Sequence, residues 1–306
     1  MQGESGRKFA SVGLVIDNFD VILIVDKSSN FEIYDSLISS DTKVYIEQLV
    51  FTFCAYHDIK TSISIRVVQI PPRHSGFGSG TQLALAIGKA ISEIYKVKCS
   101  VRKIAEILGR GKRSGIGIAG FNYGGFLIDA GKNNEKTDPP PLIARAEFPK
   151  EWPLLLILKK DVTGLHGEKE KFALQHLICD SSVSVDQVCR KVFLGVLPAI
   201  LERDFESFSA GLNFIQDYMG ELFYKSQGRS KFLSPEINNL LGWLKKNFLV
   251  SIGQSSWGPT GFAFFKDEVS LAKALTAANK KLVINETLEL RVVKAKNSGF
   301  SQNWNQ

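Results

Sequence analysis

The run Pro72-Arg73-His74-Ser75-Gly76-Phe77-Gly78-Ser79-Gly80-Thr81 is the strongest candidate for chemistry in the chain. Its glycines permit positive φ and close backbone approach. Successive N–H groups can then surround an anion, and a helix that follows adds the positive end of its dipole. The hydroxyls of Ser79 and Thr81 suit phosphate oxygens or a hydrated Mg²⁺. The loop ends in neither Gly-Lys-Ser nor Gly-Lys-Thr and lacks GxGxxG, so it is not a nucleotide P-loop or a dinucleotide fingerprint. A second stretch, Gly109-Arg110-Gly111-Lys112-Arg113-Ser114-Gly115-Ile116-Gly117, interleaves three basic side chains with glycine. Guanidinium forks match phosphate oxygens two at a time; the competing reading is a solvated basic turn. A third, Gly253-Gln254-Ser255-Ser256-Trp257-Gly258-Pro259-Thr260-Gly261, carries a tryptophan that either stacks on a ring or walls a pocket, or else anchors the turn from the core. Of the four histidines, His57 and His176 fall on helical patterns and read as structural, which leaves His74 and His166 for a site.

These loops need elements to hold them. Apolar spacing predicts a helix over Val44–His57, and alternation with β-branching predicts a strand over Ser62–Ile70 ended by Pro71-Pro72. The first loop therefore lies between that strand and a helix over Thr81–Tyr95. Ser100 is placed to cap a helix reaching Leu108. A glycine-rich stretch runs from Gly109 to Gly125, opening with the loop Gly109–Gly117 and with no helix assigned to it, and a strand follows at Phe126–Asp129. Lys132–Pro141, polar and ending in three prolines, is the expected linker between a domain over 1–150 and a second over 151–306. Beyond it come a strand at Leu154–Leu158, helical patterns from about 168 to 247, strands flanking the third loop, a helix from Glu268 to Ala278 and a last strand over Leu288–Lys294. The polar tail Asn297–Gln306 is expected to fray.

Bulk composition narrows the function classes. With 306 residues, 44% of them hydrophobic and 23% charged, the chain can bury a real core, which excludes disordered and low-complexity classes. A net charge of +7 suits an anionic ligand without choosing among them. The basic residues are scattered and no aromatic-rich nucleic-acid strand appears, so nucleic acid is not an expected partner. No apolar run approaches the ~20 residues a bilayer requires, and Met1–Lys8 does not read as a signal peptide. Cys54, Cys99, Cys179 and Cys189 form no CxxC pair, which argues against zinc and a disulfide scaffold. Reduced thiols and a cytoplasmic location, without membrane attachment, are expected.

Pro72-x-x-x-Gly76-Phe77-Gly78-Ser79 resembles the PxxxGLGSSA loop of the GHMP kinase superfamily, with Gly80-Thr81-Gln82 where Ser-Ala is usual. The fuller run His74–Gln82 is similar to a narrower branch, the β-ribofuranosylaminobenzene 5′-phosphate synthases of methanopterin biosynthesis. Further matches follow in order: Arg110-Gly111, Ser114-Gly115-Ile116-Gly117, Gly124-Gly125-Phe126 with Asp129, then Gly164-Leu165 with Gly167-Glu168, and Ser255–Thr260. The resemblance implies an α+β, two-domain GHMP-kinase-like fold, with a ribosomal-S5-like N-terminal half containing a left-handed βαβ and an α/β C-terminal half. It implies phosphoribosyl pyrophosphate and an aromatic acid, 4-hydroxybenzoate or 4-aminobenzoate, as substrates, joined with loss of pyrophosphate and CO₂, and Mg²⁺ as cofactor. On this basis His74, Ser75, Gly76, Gly78, Ser79, Gly80, Thr81, Arg110, Arg113 and Ser114 are expected to bind phosphate. Arg110 and Arg113 are candidates for the 5′-phosphate or the carboxylate. His166, Glu168, Ser255, Ser256 and Trp257 are expected to line the acceptor pocket, and Arg110, His74 and Asp129 are the catalytic candidates. The ligands of the metal are not assigned, and a homodimer is an open expectation.

Two departures accompany the resemblance. Lys112-Arg113 stands where smaller residues are expected. Family members open with an Arg-x-His strand, whereas Gly3-Glu4-Ser5-Gly6-Arg7 looks like the segment after it, so an incomplete first strand is expected. The competing function is an ATP-dependent small-molecule kinase on the same fold. Its aspartate usually follows Ser-Gly in the second motif, but here Ser114-Gly115 leads into Ile116-Gly117. A catalytically inactive relative is the third reading.

Overall fold

A computed structural model describes residues 6–34, 38–72, 75–133, 135, 138–159 and 183–304. The chain divides into two units. One comprises residues 2–72, 78–145 and 297–306, the other residues 73–77 and 146–296 together with Met1. The backbone thus passes from one unit to the other between Phe77 and Gly78, inside the first glycine loop.

In the N-terminal unit, β1 (Arg7–Lys8) pairs with β7 (Lys132–Asn133), and β2 (Val12–Leu14) joins β6 (Phe126–Asp129) and β8 (Leu142–Ala146) in a three-stranded sheet. A separate sheet has the order β3 (Ile22–Lys27), β5 (Ile63–Gln69), β4 (Glu32–Tyr34). β4 and β5 run parallel with α1 (Ser40–Tyr56) between them in sequence, which makes a βαβ unit. Ser39 caps α1 by accepting from the Thr42 N–H. The apolar faces of α1, β5, α2 (Ser79–Ile94) and α3 (Val101–Ile107) meet in one core, where Ile46, Phe53, Ile65, Leu85, Ile87 and Ile104 are fully buried. Ser100 caps α3 as its position in the sequence suggested, accepting from Lys103 N–H at 3.2 Å.

Three sequence expectations change here. Gly109–Gly125 is not all loop, because Ile116–Tyr123 forms α4. Gly120 is a packing position there, since a Cβ would lie 2.9 Å from Val15 Cγ2. Nor is Lys132–Pro141 a linker between the units. It stays within the N-terminal unit, where Pro139 accepts from Arg102 at 2.6 Å and Ala130 N–H donates to Pro141 at 3.0 Å. The tail is docked rather than frayed over the residues described. Phe300 stacks on Phe121 with centroids 4.6 Å apart and planes 13° apart, and its N–H donates to the Phe121 carbonyl at 2.7 Å. Apolar aromatic surface inside a polar tail is what the polar composition concealed.

In the C-terminal unit, β9 (Leu154–Lys159), β10 (Ser251–Gln254), β11 (Gly261–Phe264) and β12 (Leu288–Val293) form an antiparallel sheet in the order β10-β11-β9-β12. Helices α5 (Val185–Lys191) and α6 (Leu197–Glu202) are joined by a π-helical turn at Val192–Val196. They lead into α7 (Phe205–Phe223), then α8 (Pro235–Asn247) and α9 (Glu268–Lys280). Leu155, Ile157, Leu241, Leu244, Ala263 and Phe265 lie in the core beneath α8 and α9. Among the described residues no helix is long and apolar enough to cross a membrane.

The docked tail is open to test. Phe300 retains 38% exposure, so truncating it removes part of an aromatic contact rather than a whole core residue. Phe300→Ala is expected to cost about 1–3 kcal/mol, read as a lowered calorimetric Tm. An unchanged Tm would mean the tail does not hold this position in solution.

Candidate active site

The start of α2 lies in the N-terminal unit. Its N-cap is Gly78 at φ +67°, and no side chain caps the helix. A Cβ on Gly78 would meet nothing within 4 Å, so the backbone faces open space at the point where the helix dipole is most positive. Ser79 is buried and donates to the Pro72 carbonyl at 3.3 Å. Its hydroxyl therefore secures the loop from behind. Tyr45 donates its hydroxyl to the Gly80 carbonyl at 3.1 Å, tying α1 to the same turn.

Arg110 reaches this turn from the second glycine stretch. Its Nε and Nη2 donate to Thr81 Oγ1 at 3.2 and 3.0 Å. The flanking Gly109 and Gly111 take φ of +65° and +76°, which gives the backbone the reversal this reach requires. Pro139 and Pro140 form the other wall. Their atoms would lie 2.9 Å from a Cβ at Gly111 and 2.4 Å from one at Gly115. Gln82 ties α2 to α4 by donating to the Gly117 carbonyl at 2.8 Å.

Below the loop sits Asp129, fully buried. Its Oδ1 accepts from the N–H groups of Ser11 and Gly131 at 3.1 and 2.8 Å. Its Oδ2 accepts from Ser114 Oγ and Gly115 N–H at 2.7 and 2.8 Å. Burial holds this carboxyl above its ordinary range, against the pull of those four donors. A carboxylate so engaged, with both oxygens taken by four donors, joins β2, β6 and the start of α4. The expectation of a catalytic Asp129 is corrected to a holding role, and Ser114, expected on phosphate, spends its hydroxyl proton on Asp129. Arg113 is half-buried in the same stretch and has interactions of its own.

Residues 75–77 and the third loop belong to the C-terminal unit. Thr260 donates to the buried Ser75 carbonyl at 2.7 Å, and Ser255 Oγ donates to the Gly76 carbonyl at 2.7 Å. Gly76 has φ +87°, and a Cβ on it would lie 2.6 Å from the Ser255 carbonyl oxygen. With two successive carbonyls fastened on one side, the trans peptides turn the N–H groups of Gly76 and Phe77 to the other. The third loop is itself rigid. Ser255 N–H donates to Thr260, and Gln254 Nε2 donates to the Ser256 carbonyl at 3.0 Å and to Gln227 at 2.6 Å. Ser256 is exposed and held at φ +54°, a strained conformation for a non-glycine residue. Trp257 is buried and stacks on Phe223 at 3.9 Å between centroids. It anchors the loop with a protein ring, so the expectation that it faces a ligand ring is corrected; an internal aromatic partner for it was invisible in sequence.

Ser75 and Ser255 therefore work on loop shape, while Gly78, Gly80, Thr81 and Arg110 gather around the start of α2. His74, His166 and Glu168 lie outside the described residues. Sequence reasoning missed Thr260, Tyr45 and Gln82. Thr260 and Gln82 belong to motifs already singled out, but Tyr45 carries no local signal. The described residues contain no cluster of three His, Cys, Asp or Glu that would hold a metal, and both oxygens of Asp129 are occupied. They do not form a protein cage for Mg²⁺.

Residues 45–125 match the GHMP kinases N terminal domain and residues 196–284 the GHMP kinases C terminal model. The beta-ribofuranosylphenol 5′-phosphate synthase of Methanocaldococcus jannaschii is 32% identical, over 98% of this chain and 94% of that protein. The chain belongs to the β-ribofuranosylphenol 5′-phosphate synthase family. The Archaeoglobus fulgidus synthase is 31% identical, over 86% of this chain and 82% of its own. The mevalonate kinase of Methanococcus jannaschii superposes with a TM-score of 0.66 at 15% identity, over 94% of this chain and 92% of that one. That likeness establishes the shared GHMP-type α+β fold. As a member of this synthase family the protein is a transferase.

Two substitutions separate shape from strain. Gly76→Ala meets both positive φ and the Ser255 carbonyl, and is expected to cost about 2–4 kcal/mol; Gly78→Ala meets only the φ penalty, about 1–2 kcal/mol. Calorimetry on both should give that order, and the reverse order would contradict the loop geometry. Asp129→Asn turns an acceptor into a donor facing N–H groups, and should lower stability by about 1–3 kcal/mol. A variant as stable as the parent would show that the four-donor arrangement is not maintained.

Proposed function

We propose that this transferase joins phosphoribosyl pyrophosphate to 4-hydroxybenzoate and releases pyrophosphate and CO₂, a step of methanopterin biosynthesis. The observation that carries this reading is the Arg110 fork seated on the third residue of α2, beside a helix start that no side chain caps. Two independent sources of positive potential there suit a polyanionic donor. The phenol in the relatives' names favours the hydroxy acid over 4-aminobenzoate as acceptor.

The bond from ribose C1 to the pyrophosphate oxygen breaks, and its electrons leave with pyrophosphate. The ring carbon bearing the carboxylate attacks C1 and forms the C-riboside. The carboxylate then departs as CO₂, returning its bonding pair to the ring. Decarboxylation takes the place of proton loss, so the reaction needs no strong general base. This agrees with Asp129 being fully engaged by hydrogen bonds. The chain's contribution is to hold the leaving group in a preorganised field of N–H donors and guanidinium, where developing charge is stabilised without reorganisation. We place Mg²⁺ with the donor's pyrophosphate, as part of the substrate, because Mg²⁺ binds through substrate phosphates and water more readily than through protein cages. The cytoplasm is the proposed location.

The test is incubation with phosphoribosyl pyrophosphate, 4-hydroxybenzoate and Mg²⁺, scored for CO₂ and pyrophosphate in equal amounts. Arg110→Lys keeps the charge but loses the fork, and should lower kcat/KM by one to two decades, since a charged hydrogen bond is worth about 1.5–3 kcal/mol. Full activity in that variant would return Arg110 to a surface role. ADP formation dependent on a mevalonate-like or homoserine-like acceptor would overturn the transfer reading in favour of a kinase.

A further inference from the structure

The superfamily loop pattern reads Gly-Ser-Ser-Ala where this chain has Gly78-Ser79-Gly80-Thr81. The two altered positions are adjacent, and both border the same side chain. Thr81 Oγ1 accepts from Arg110 Nε and Nη2 at 3.2 and 3.0 Å. A Cβ at position 80 would stand 3.7 Å from that Nη2 and 3.9 Å from the Tyr45 hydroxyl. Those are ordinary contact distances, so position 80 borders the guanidinium directly, while an alanine at position 81 would offer it no acceptor. Gly80 therefore borders the guanidinium's place, and Thr81 provides its seat.

That seat is electrostatically unfavourable for a cation standing alone. The first turn of α2 is the positive end of the helix, and among the described residues no carboxylate pairs with Arg110. Two positive centres held side by side by a neutral hydroxyl are stabilised by an anion that spans both. One phosphoryl group satisfies one centre; a diphosphate satisfies the helix start and the guanidinium together.

Resting on the phosphoribosyl-transfer reading, we propose that Thr81 is a positioning residue that holds Arg110 as the second arm of the phosphate cradle, so that Thr81 and Arg110 act as a pair. The pair makes the loop select a diphosphate over a monophosphate. Thr81 acts through Arg110 and need not touch the ligand itself.

Isothermal calorimetry with inorganic pyrophosphate and inorganic phosphate tests this on the full chain. The parent should bind pyrophosphate the more tightly. Thr81→Val keeps shape and should weaken pyrophosphate about tenfold while leaving phosphate within about twofold. Thr81→Ser, which keeps the acceptor, should restore parental binding. In a double-mutant cycle, Thr81→Val combined with Arg110→Lys should bind pyrophosphate no worse than Arg110→Lys alone. The proposal is overturned if Thr81→Val, folded by its Tm, binds pyrophosphate as the parent does. It is equally overturned if both ligands weaken alike, or if the two substitutions multiply. If this binding pattern holds but phosphoribosyl pyrophosphate and 4-hydroxybenzoate are not joined, the cradle assignment stands and the transfer reading falls.

Discussion

A helix that begins without a side-chain cap leaves its first N–H groups to be satisfied from outside, and α2 begins in this way at Gly78. The surrounding loop is arranged to preserve that condition. Left-handed glycines turn the chain so that no Cβ covers the opening at Gly78. Ser79 and Tyr45 fasten the turn through groups that lie off the opening, at the Pro72 and Gly80 carbonyls. Arg110 adds a second positive centre where the first already lies. Each choice is unfavourable or neutral for an isolated helix and favourable for one that receives an anion.

Asp129 solves a different problem. The second glycine stretch has little apolar surface of its own, so it must be held by directed bonds. One buried carboxylate collects donors from Ser11, Ser114, Gly115 and Gly131, which come from both sides of the β2–β6 pair and the start of α4. Burying the charge raises its cost, and the four donors offset part of it. The third loop is held by the same logic in neutral form, with Gln254, Ser255 and Thr260 as its bonding residues and Trp257 as its apolar anchor.

Much of this was legible in the sequence because it is local. Strand, glycine loop and helix around residue 76 follow from alternation, glycine spacing and helical periodicity, and Ser100 announces its helix by residue type. The Arg110 neighbourhood was legible as chemistry, but not as a contact with Thr81, which lies 29 residues away. The misreadings share one cause. Glycine in α4, proline at 139–141 and the aromatic in the tail were judged by local propensity, whereas each is fixed by a distant partner. Trp257 and Asp129 looked like functional groups because type and motif do not reveal whether a side chain's bonds are already taken.

The docked tail also bears on the order in which this protein can fold. Residues 297–304 belong to the N-terminal unit, yet some 150 residues of the other unit are made before them. On the ribosome, the packing around Phe121 waits for Phe300 to emerge, and the carbonyls of Ser75 and Gly76 wait for Thr260 and Ser255. The first-synthesised unit is thus completed by later-synthesised chain. Vectorial, one-domain-at-a-time folding does not suit such an interleaved chain, and the first glycine loop takes its shape only after Thr260 has been made.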